Sequence, residues 1–239
     1  MRTAVLALAG VLLTGCGGAA DDREPLVVLA AASLTATFTE LEAVYEREHS
    51  DVDVQVSFAG SQVLVSQVRE GAPADVVVTA DEPSLQSVAG LVGPPVVVAR
   101  NRLALVTAPS NPKGLTTLAD LARPGTTVVL AGPNVPVGKA ARAALAAAEV
   151  VVRPVSEEPD VKAVVARVRL GEADAGIAYV TDLRTPEIAG TPLPGTSNAY
   201  PAAAVLGATH QEEGERFVAF LVSAPAQAVL AAAGFLPPP

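Results

Sequence analysis

Short runs of β-branched and aliphatic residues alternate with helical patterns along this chain from Leu26 onward. Such alternation is typical of repeated β–α units that build mostly parallel sheets. The apolar runs predict nine strands, at residues 26–31, 53–58, 75–79, 96–99, 102–107, 127–131, 150–155, 175–179 and 201–206. Apolar residues three and four positions apart predict the helices, at residues 34–48, 61–70, 83–89, 116–122, 138–148, 160–170, 212–223 and 225–233. The sequence therefore predicts an α/β fold.

Two strand-like segments flanked by Pro, Gly or Asn have the character of crossings between lobes. They are "NRLALVTAP" and "AYPAAAVLG", which begin at Asn101 and Ala199. A chain of 239 residues is long enough for two lobes of about 100 residues each. If the chain leaves the first lobe near residue 103 and returns near 203, the division is lobe I at residues 26–102 plus 203–239 and lobe II at residues 103–202. A ligand is then expected between the lobes, at the carboxyl ends of the strands.

An apolar run near the N-terminus predicts export. Arg2 precedes "AVLALAGVLLT", which is shorter than the roughly 20 residues that span a bilayer but suits the core of a signal peptide. The only cysteine, Cys16, follows "LTG", as in the bacterial lipoprotein signal. We therefore expect cleavage of residues 1–15, lipid on the Cys16 thiol, a flexible tether over residues 16–25, and a place on the outer face of the cell membrane. An ordinary secretory signal, with release into the periplasm, is the alternative.

The charge and composition of the chain argue against a nucleic-acid partner. The formal net charge is −9, the basic residues form no run, and aromatic residues make up 3% of the chain. Phosphate contacts need clustered cations, and stacking on bases needs aromatic side chains. We therefore expect no nucleic-acid partner.

Two junctions in the predicted first lobe place a serine directly after a strand and at the start of a helix. Ser33 follows the strand in "VLAAASLT", and Ser61 follows Gly60 in "SFAGSQ". Either serine could be a simple helix cap. Two of them in one lobe favour a ligand, because helix N-termini attract anions.

A Pro/Gly-rich loop opens a helix in the predicted second lobe, in "AGPNVPVGKAARAAL". A nucleotide-binding loop does not fit this segment, because five residues rather than four separate Gly132 from Gly138, and Ala140 replaces the Ser or Thr that holds magnesium. The loop can still direct the backbone NH of Val137 or Gly138 at an anion. A plain helix-entry loop is the alternative.

Two further positions in the second lobe could supply donors. Asp160 is predicted to cap a helix, which leaves the NH of Val161 without a partner inside that helix. Tyr179 ends a buried strand, where its hydroxyl would be a neutral donor at the edge of the cleft. Capping alone and core packing alone are the corresponding alternatives.

Taken together, these motifs resemble the periplasmic molybdate-binding proteins of ABC importers. The matching segments run in the family's order over the mature chain: "AAASLT" (30–35), "FAGS" (58–61), "GAPADVVVTAD" (71–81), "NVPVGKAA" (134–141), "PDV" (159–161), "GIAYVTD" (176–182) and "YPAAAV" (200–205). The resemblance implies a two-lobe periplasmic-binding-protein fold of type II, in which each lobe is a mixed, mostly parallel sheet flanked by helices and two hinge crossings join the lobes. The Cys16 lipoprotein signal departs from a free periplasmic form.

The resemblance also implies a site and a role. The oxyanion ligands would be the hydroxyl and NH of Ser33 and of Ser61, the NH of Val137, the NH of Val161, and the hydroxyl of Tyr179. They would hold molybdate or tungstate, with no cofactor and no direct metal-cation ligand. The protein would be a monomer that delivers the anion to the membrane permease of an ABC importer, and it would not be an enzyme.

Other functions remain open at this point. The anion could be sulfate, thiosulfate or another tetrahedral oxyanion, and the chain could be a purely structural lipoprotein. A secreted hydrolase with Ser33 or Ser61 as nucleophile is disfavoured, because neither serine lies in a G-x-S-x-G motif. A metal centre is disfavoured because His49, His210 and Cys16 lack ligand spacing.

Overall fold

A computed structural model describes residues 23–239 of the chain. The predicted signal peptide at residues 1–15 and the lipidation of Cys16 lie outside the described residues, and both stay predictions.

Ten strands and seven α-helices follow one another along these residues. The strands are β1 Glu24–Ala31, β2 Val52–Ala59, β3 Val76–Val78, β4 Val96–Asn101, β5 Leu103–Thr107, β6 Val128–Ala131, β7 Ser156–Glu158, β8 Ala175–Tyr179, β9 Ala189–Pro192 and β10 Asn198–Ala204. The α-helices are α1 Thr35–Glu48, α2 Ser61–Arg69, α3 Glu82–Gln86, α4 Pro136–Ala147, α5 Val161–Arg169, α6 Gln211–Leu221 and α7 Ala224–Ala232. Short 3₁₀ helices occupy Ala32–Leu34, Leu118–Ala122 and Val180–Arg184.

The strands form two five-stranded sheets. The first has the order β2-β1-β3-β10-β4, and the second has the order β7-β6-β8-β5-β9. In the first sheet β1 runs parallel to β2 and β3, whereas β10 is antiparallel to β3 and β4. The second sheet repeats this plan, with β6 parallel to β7 and β8 and with β5 antiparallel to β8 and β9. The predicted mixed sheets flanked by helices are therefore confirmed.

The chain passes between the two sheets twice, between β4 and β5 and again between β9 and β10. The second crossing comes earlier than the sequence indicated, because Asn198 already pairs with Asn101 in the first sheet. Residues 198–202, predicted in lobe II, thus lie in the first sheet. The register shifts between Tyr200 and Pro201. Proline donates no NH to a strand ladder and is therefore unusual inside a strand, so the strand was predicted to begin at Pro201 rather than at Asn198.

Several element predictions were wrong in detail. No strand covers residues 150–155, where Val151 and Val155 are 80% and 60% exposed. The strand in this region is β7, three residues long at the sheet edge. The edge strand β9 was not predicted, because Thr191 is the single residue of its sequence "AGTP" that favours strands. The predicted helix at 116–122 is a 3₁₀ turn over Leu118–Ala122.

Each sheet has its own hydrophobic core. In the first lobe, α1 and α6 pack on the sheet through the aromatic side chains of Phe38, Tyr45 and Phe217, all fully buried, and α7 adds the aliphatic side chains of Val229 and Leu230. The second core is built mostly from Val, Leu and Ala. Burial of one such aliphatic side chain is worth about 1.5–3 kcal/mol, so each core stabilises the sheet that carries the strand ends of its lobe. No single helix within residues 23–239 is long and apolar enough to span a membrane, although α6 and α7 pass that test as a pair bent by 60°.

Candidate functional site

Helix starts from both lobes meet across one cleft. The first lobe contributes the segments that follow β1, β2 and β3, and the second contributes the starts of α4 and α5 and the end of β8. All five site residues predicted from the sequence are in the lining, which consists of Ala31, Ala32, Ser33, Ala59, Gly60, Ser61, Ala80, Val135, Pro136, Val137, Asp160, Val161 and Tyr179. The structure thus brings these residues together from positions up to 146 apart in the chain, from Ser33 to Tyr179.

The cleft is small in this arrangement of the lobes. Its free volume is about 10 Å³, which is close to the room that one water-sized sphere needs. A tetrahedral ion would require the lobes to move slightly apart, whereas a sugar or a peptide would require a much wider opening. The arrangement therefore favours a small ligand that touches both lobes at once.

The starts of α2 and α5 direct backbone NH groups into the cleft. Helix α2 begins at Ser61 after its N-cap residue Gly60, and α5 begins at Val161 after Asp160. The Asp160 carboxylate accepts the NH of Ala163 at 2.9 Å and is thereby occupied as a cap. The first amides of a helix have no partner within it, so the NH groups of Ser61 and Val161 are available to a ligand.

The start of α4 is held close to the end of β6 by a glycine. A Cβ atom at Gly138 would lie 2.1 Å from the carbonyl oxygen of Gly132 and 2.5 Å from that of Ala131. Only glycine allows this approach, which fixes the first turn of α4. Pro136 is the first residue of the helix, where its missing NH is no loss, and the NH of Val137 follows it.

The two serines are buried, and each hydroxyl has one partner inside the first lobe. Ser61 is 1% exposed, and its Oγ accepts the NH of Ala80 at 3.0 Å. Because an amide NH can only donate, the hydroxyl proton of Ser61 remains free for the cleft. The Oγ of Ser33 lies 3.0 Å from the hydroxyl of Tyr200 on β10. Tyr200 was not among the residues predicted from the sequence, where its only signal was the scarcity of tyrosine in the chain.

Tyr179 presents an unpaired hydroxyl to the cleft. The residue is 1% exposed, and within residues 23–239 its hydroxyl has no hydrogen-bond partner. Leaving a buried polar group unpaired costs about 1–3 kcal/mol, so such a group is a strong sign of a ligand contact. Its position is fixed by its own NH, which donates to Asp182 Oδ2 at 3.1 Å, and by the ion pair between Asp182 and Lys162.

Positive charge does not supply the attraction in this cleft. Among the described residues that line it there is no Arg, Lys or His. Lys139, which the sequence places beside the cleft, forms an ion pair with Asp81 of the first lobe at 3.0 Å. A second contact between the lobes is the Gln62 Nε2 bond to the Pro159 carbonyl at 2.8 Å. Neutral hydroxyl and amide donors therefore define the chemistry of the site.

Burial keeps Tyr179 and its neighbour Tyr200 protonated. It raises the pKa of Tyr179 well above its usual value, and the neighbouring Tyr200, Asp81 and Asp182 add to this effect. Burial also raises the pKa of Tyr200 to about 12, against the lowering effect of its hydrogen bonds with Ser33, Asn101 and Asn198. Both hydroxyls are thus donors throughout the neutral range.

These shifts predict how stability depends on pH in alkali. Because the folded pKa values lie above the value of about 10 for an unfolded tyrosine, the unfolded state loses its protons first as pH rises. The tyrosine contribution to the free energy of unfolding should be constant below pH about 10. It should be lost as pH rises through about 12, the folded pKa of Tyr200. Urea unfolding between pH 7 and 12, followed by tyrosine absorbance, measures this; stability that does not fall above pH about 10 would contradict it.

The chain is similar in sequence to known proteins. A sequence model of bacterial extracellular solute-binding proteins matches residues 26–236. The chain belongs to this family. A relative of this solute-binding protein, the molybdate-binding protein ModA of Mycobacterium tuberculosis H37Rv, is 38% identical over 235 residues, which cover 92% of this chain and 88% of the relative. The resemblance stated from the motifs is thereby confirmed.

Two solved structures share the fold of this solute-binding protein. The periplasmic molybdate-binding protein of Azotobacter vinelandii aligns with a TM-score of 0.77 at 22% identity, covering 90% of this chain and 100% of that one. The sulfate-binding protein SubI of Mycobacterium tuberculosis aligns with a TM-score of 0.78 at 21% identity, covering 90% and 87%. These likenesses confirm the two-lobe type II fold. Within residues 23–239 no group of three or more His, Cys, Asp or Glu side chains could hold a metal ion.

Proposed function

We propose that this protein captures molybdate, and also tungstate, in the cleft between its lobes and delivers it to an ABC importer. The observation that carries the proposal is the unpaired, buried hydroxyl of Tyr179 facing helix starts of the opposite lobe in a cleft lined by neutral donors. The name of the Mycobacterium tuberculosis relative supports molybdate as the anion. The resemblance supplies the donor set, namely Ser33, Ser61, Val137, Val161 and Tyr179.

Neutral donors suit the charge state of the proposed ligand. Molybdate and tungstate are fully ionised tetrahedral dianions near neutral pH, so they accept hydrogen bonds and donate none. About seven donors at about 1.5–3 kcal/mol each would give on the order of 10–20 kcal/mol. The cost of ordering and lobe closure reduces this to about 8–12 kcal/mol, a micromolar to nanomolar constant.

Closure of the lobes follows from the division of these donors. Ser33 and Ser61 belong to the first lobe, whereas Val137, Val161 and Tyr179 belong to the second. An anion that bridges them stabilises the closed arrangement because it makes fewer contacts when the lobes are apart. The Lys139–Asp81 ion pair would add to the closed state by no more than about 1 kcal/mol, since both side chains remain partly exposed. The permease would recognise the closed form.

We also propose that the protein is exported, is anchored to the membrane through Cys16, and acts as a monomer. We propose further that it is a binding protein rather than an enzyme. The serine contacts support the second point. Ser61 Oγ faces the Ala80 amide and Ser33 Oγ faces the Tyr200 hydroxyl, so neither contact supplies the basic group that activates a serine nucleophile.

Sulfate is the second candidate ligand. It has the same charge and shape as molybdate, and a sulfate-binding protein shares the fold. Isothermal calorimetry with molybdate, tungstate, sulfate and thiosulfate separates the candidates. We expect nanomolar to micromolar constants for molybdate and tungstate and binding at least about tenfold weaker for sulfate and thiosulfate, a difference of about 1.4 kcal/mol. Sulfate or thiosulfate bound as tightly as molybdate would reject the assignment.

A further inference from the structure

We propose that Tyr200, which does not line the cleft, is a positioning residue that sets the direction of the Ser33 hydroxyl and thereby helps the site reject anions that carry a proton. The proposal deepens the proposed function and rests on it. It starts from the hydroxyl pair of Tyr200 and Ser33, whose oxygens lie 3.0 Å apart and belong to residues that are 0% and 6% exposed.

The hydrogen between these two oxygens can come from either residue. If Ser33 gives its only proton to a bound oxyanion, the proton between Ser33 and Tyr200 must come from Tyr200. Burial, which raises the pKa of Tyr200, keeps that phenolic proton in place at neutral pH. One lone pair of Ser33 is then occupied by Tyr200, so the serine faces the ligand as a donor.

Ser61 has the same arrangement, and there the direction of the hydrogen bond is certain because the partner is a backbone NH. Its Oγ accepts the NH of Ala80, so its own proton is left for the cleft. Each serine would therefore accept a hydrogen bond from within the first lobe, which leaves its own hydroxyl proton to be donated into the cleft. A hydrogen bond received in this way also strengthens the one that is donated.

This polarity matters for ligands such as hydrogen phosphate. A proton on the ligand needs an acceptor, and an unpaired buried donor is costly. With Tyr200 in place, one of the two lone pairs of Ser33 is already occupied, so the serine is less able to take that role. Without the Tyr200 hydroxyl, Ser33 can rotate and accept the ligand's proton. Tyr200 would therefore influence which anions are bound, although it makes no contact with them.

The Tyr200 ring is well fixed, which makes a conservative test possible. It packs edge-to-face against Phe235 and Tyr179, with ring centroids 5.3 and 6.1 Å away. Tyr200→Phe keeps these contacts and removes only the hydroxyl. Tyr45→Phe is a matched control, because Tyr45 is also a fully buried tyrosine of the first lobe and donates to Glu213, away from the cleft.

The experiment compares molybdate with inorganic phosphate by calorimetry in the wild type, Tyr200→Phe, Ser33→Ala and the double variant. We expect Tyr200→Phe to weaken molybdate binding by about threefold to tenfold and to shift the molybdate-to-phosphate preference toward phosphate by about fivefold to tenfold. In the Ser33→Ala background the same change should produce no further shift, because the effect passes through Ser33. Tyr45→Phe should leave the preference unchanged.

Two results would overturn the role of Tyr200 while leaving the proposed function intact: equal loss of affinity for both anions in Tyr200→Phe, or a shift in preference that persists without Ser33. Failure of the wild type to bind any tetrahedral oxyanion would instead reject the proposed function itself. If Tyr200→Phe does not fold, NMR of the wild type replaces it. The Tyr200 hydroxyl proton should exchange slowly with water and lie close to the Ser33 β protons, and rapid exchange would overturn the proposal.

Discussion

Replacing both cleft serines, as Ser33→Ala with Ser61→Ala, should weaken molybdate binding by about 2–6 kcal/mol. In the proposed complex, each substitution would remove one hydroxyl donor to the buried dianion, a loss of about 1–3 kcal/mol, and the two losses would add if the remaining donors do not rearrange. The dissociation constant should then rise between about 30-fold and more than 10⁴-fold. Calorimetry on the single and double variants measures both the losses and their additivity.

The control for this experiment is another serine of α2. Ser66 donates to Glu70 Oε1 at 2.8 Å on the exposed side of the helix, and Ser66→Ala should leave the affinity unchanged. Ser61→Ala also removes the acceptor of the Ala80 NH, so thermal stability should fall and binding must be measured well below the midpoint of unfolding. Wild-type affinity in the double variant would remove both serines from the site.

The residues that line the cleft could be predicted from the sequence because each of them marks a local change of structure. A strand or loop ends and a helix begins within two or three residues at four of these positions, namely Ser33, Ser61, Val137 and Val161. Small residues and helix caps predict such a junction. The order of the motifs then implied which of these junctions belong together. The contacts that each group makes with residues far along the chain could not be predicted from these local patterns.

Tyr200 illustrates the limit. Its hydroxyl meets Ser33 across 167 residues, and no local pattern relates them. The edge strands β7 and β9 illustrate a second limit, since their residues pair with a neighbour on one side only and need little of the usual strand composition. The exposed valines at 151 and 155 satisfied the strand pattern without the burial that it normally signals.

The acidic surface of the protein does not conflict with an anionic ligand. The formal net charge is −9, but surface charges are screened by salt over about 10 Å. In the proposed complex, the amides at the starts of α2, α4 and α5 would act at contact distance, and their dipoles are fixed by the helices. A fixed dipole needs no counter-charge and does not titrate. The affinity for molybdate should therefore depend on lobe closure more than on net charge.

Gly60 provides the sharpest test of closure. Its backbone, at φ −62° and ψ 141°, is open to any residue, so Gly60→Ala should not strain the first lobe. A Cβ atom there would lie 2.6 Å from the Pro159 carbonyl oxygen of the second lobe and 2.5 Å from the Gln62 side chain. The Gln62 amide can move aside. The Pro159 carbonyl belongs to the backbone of the opposite lobe, so it can retreat only if the lobes separate.

Gly60→Ala should therefore act as a wedge that lowers molybdate affinity by about 1–3 kcal/mol, or about 5-fold to 150-fold. The ligand-free protein should keep its melting temperature, because neither core is touched. Gly90→Ala is the matched control, since a Cβ at Gly90 meets nothing within 4 Å. Calorimetry gives the affinity, and small-angle X-ray scattering with saturating molybdate reports whether the variant still becomes more compact. If Gly60→Ala binds and compacts like the wild type, contact between Gly60 and Pro159 is not part of the ligand-bound state, and the dianion must be held without the closure that the divided donor set requires.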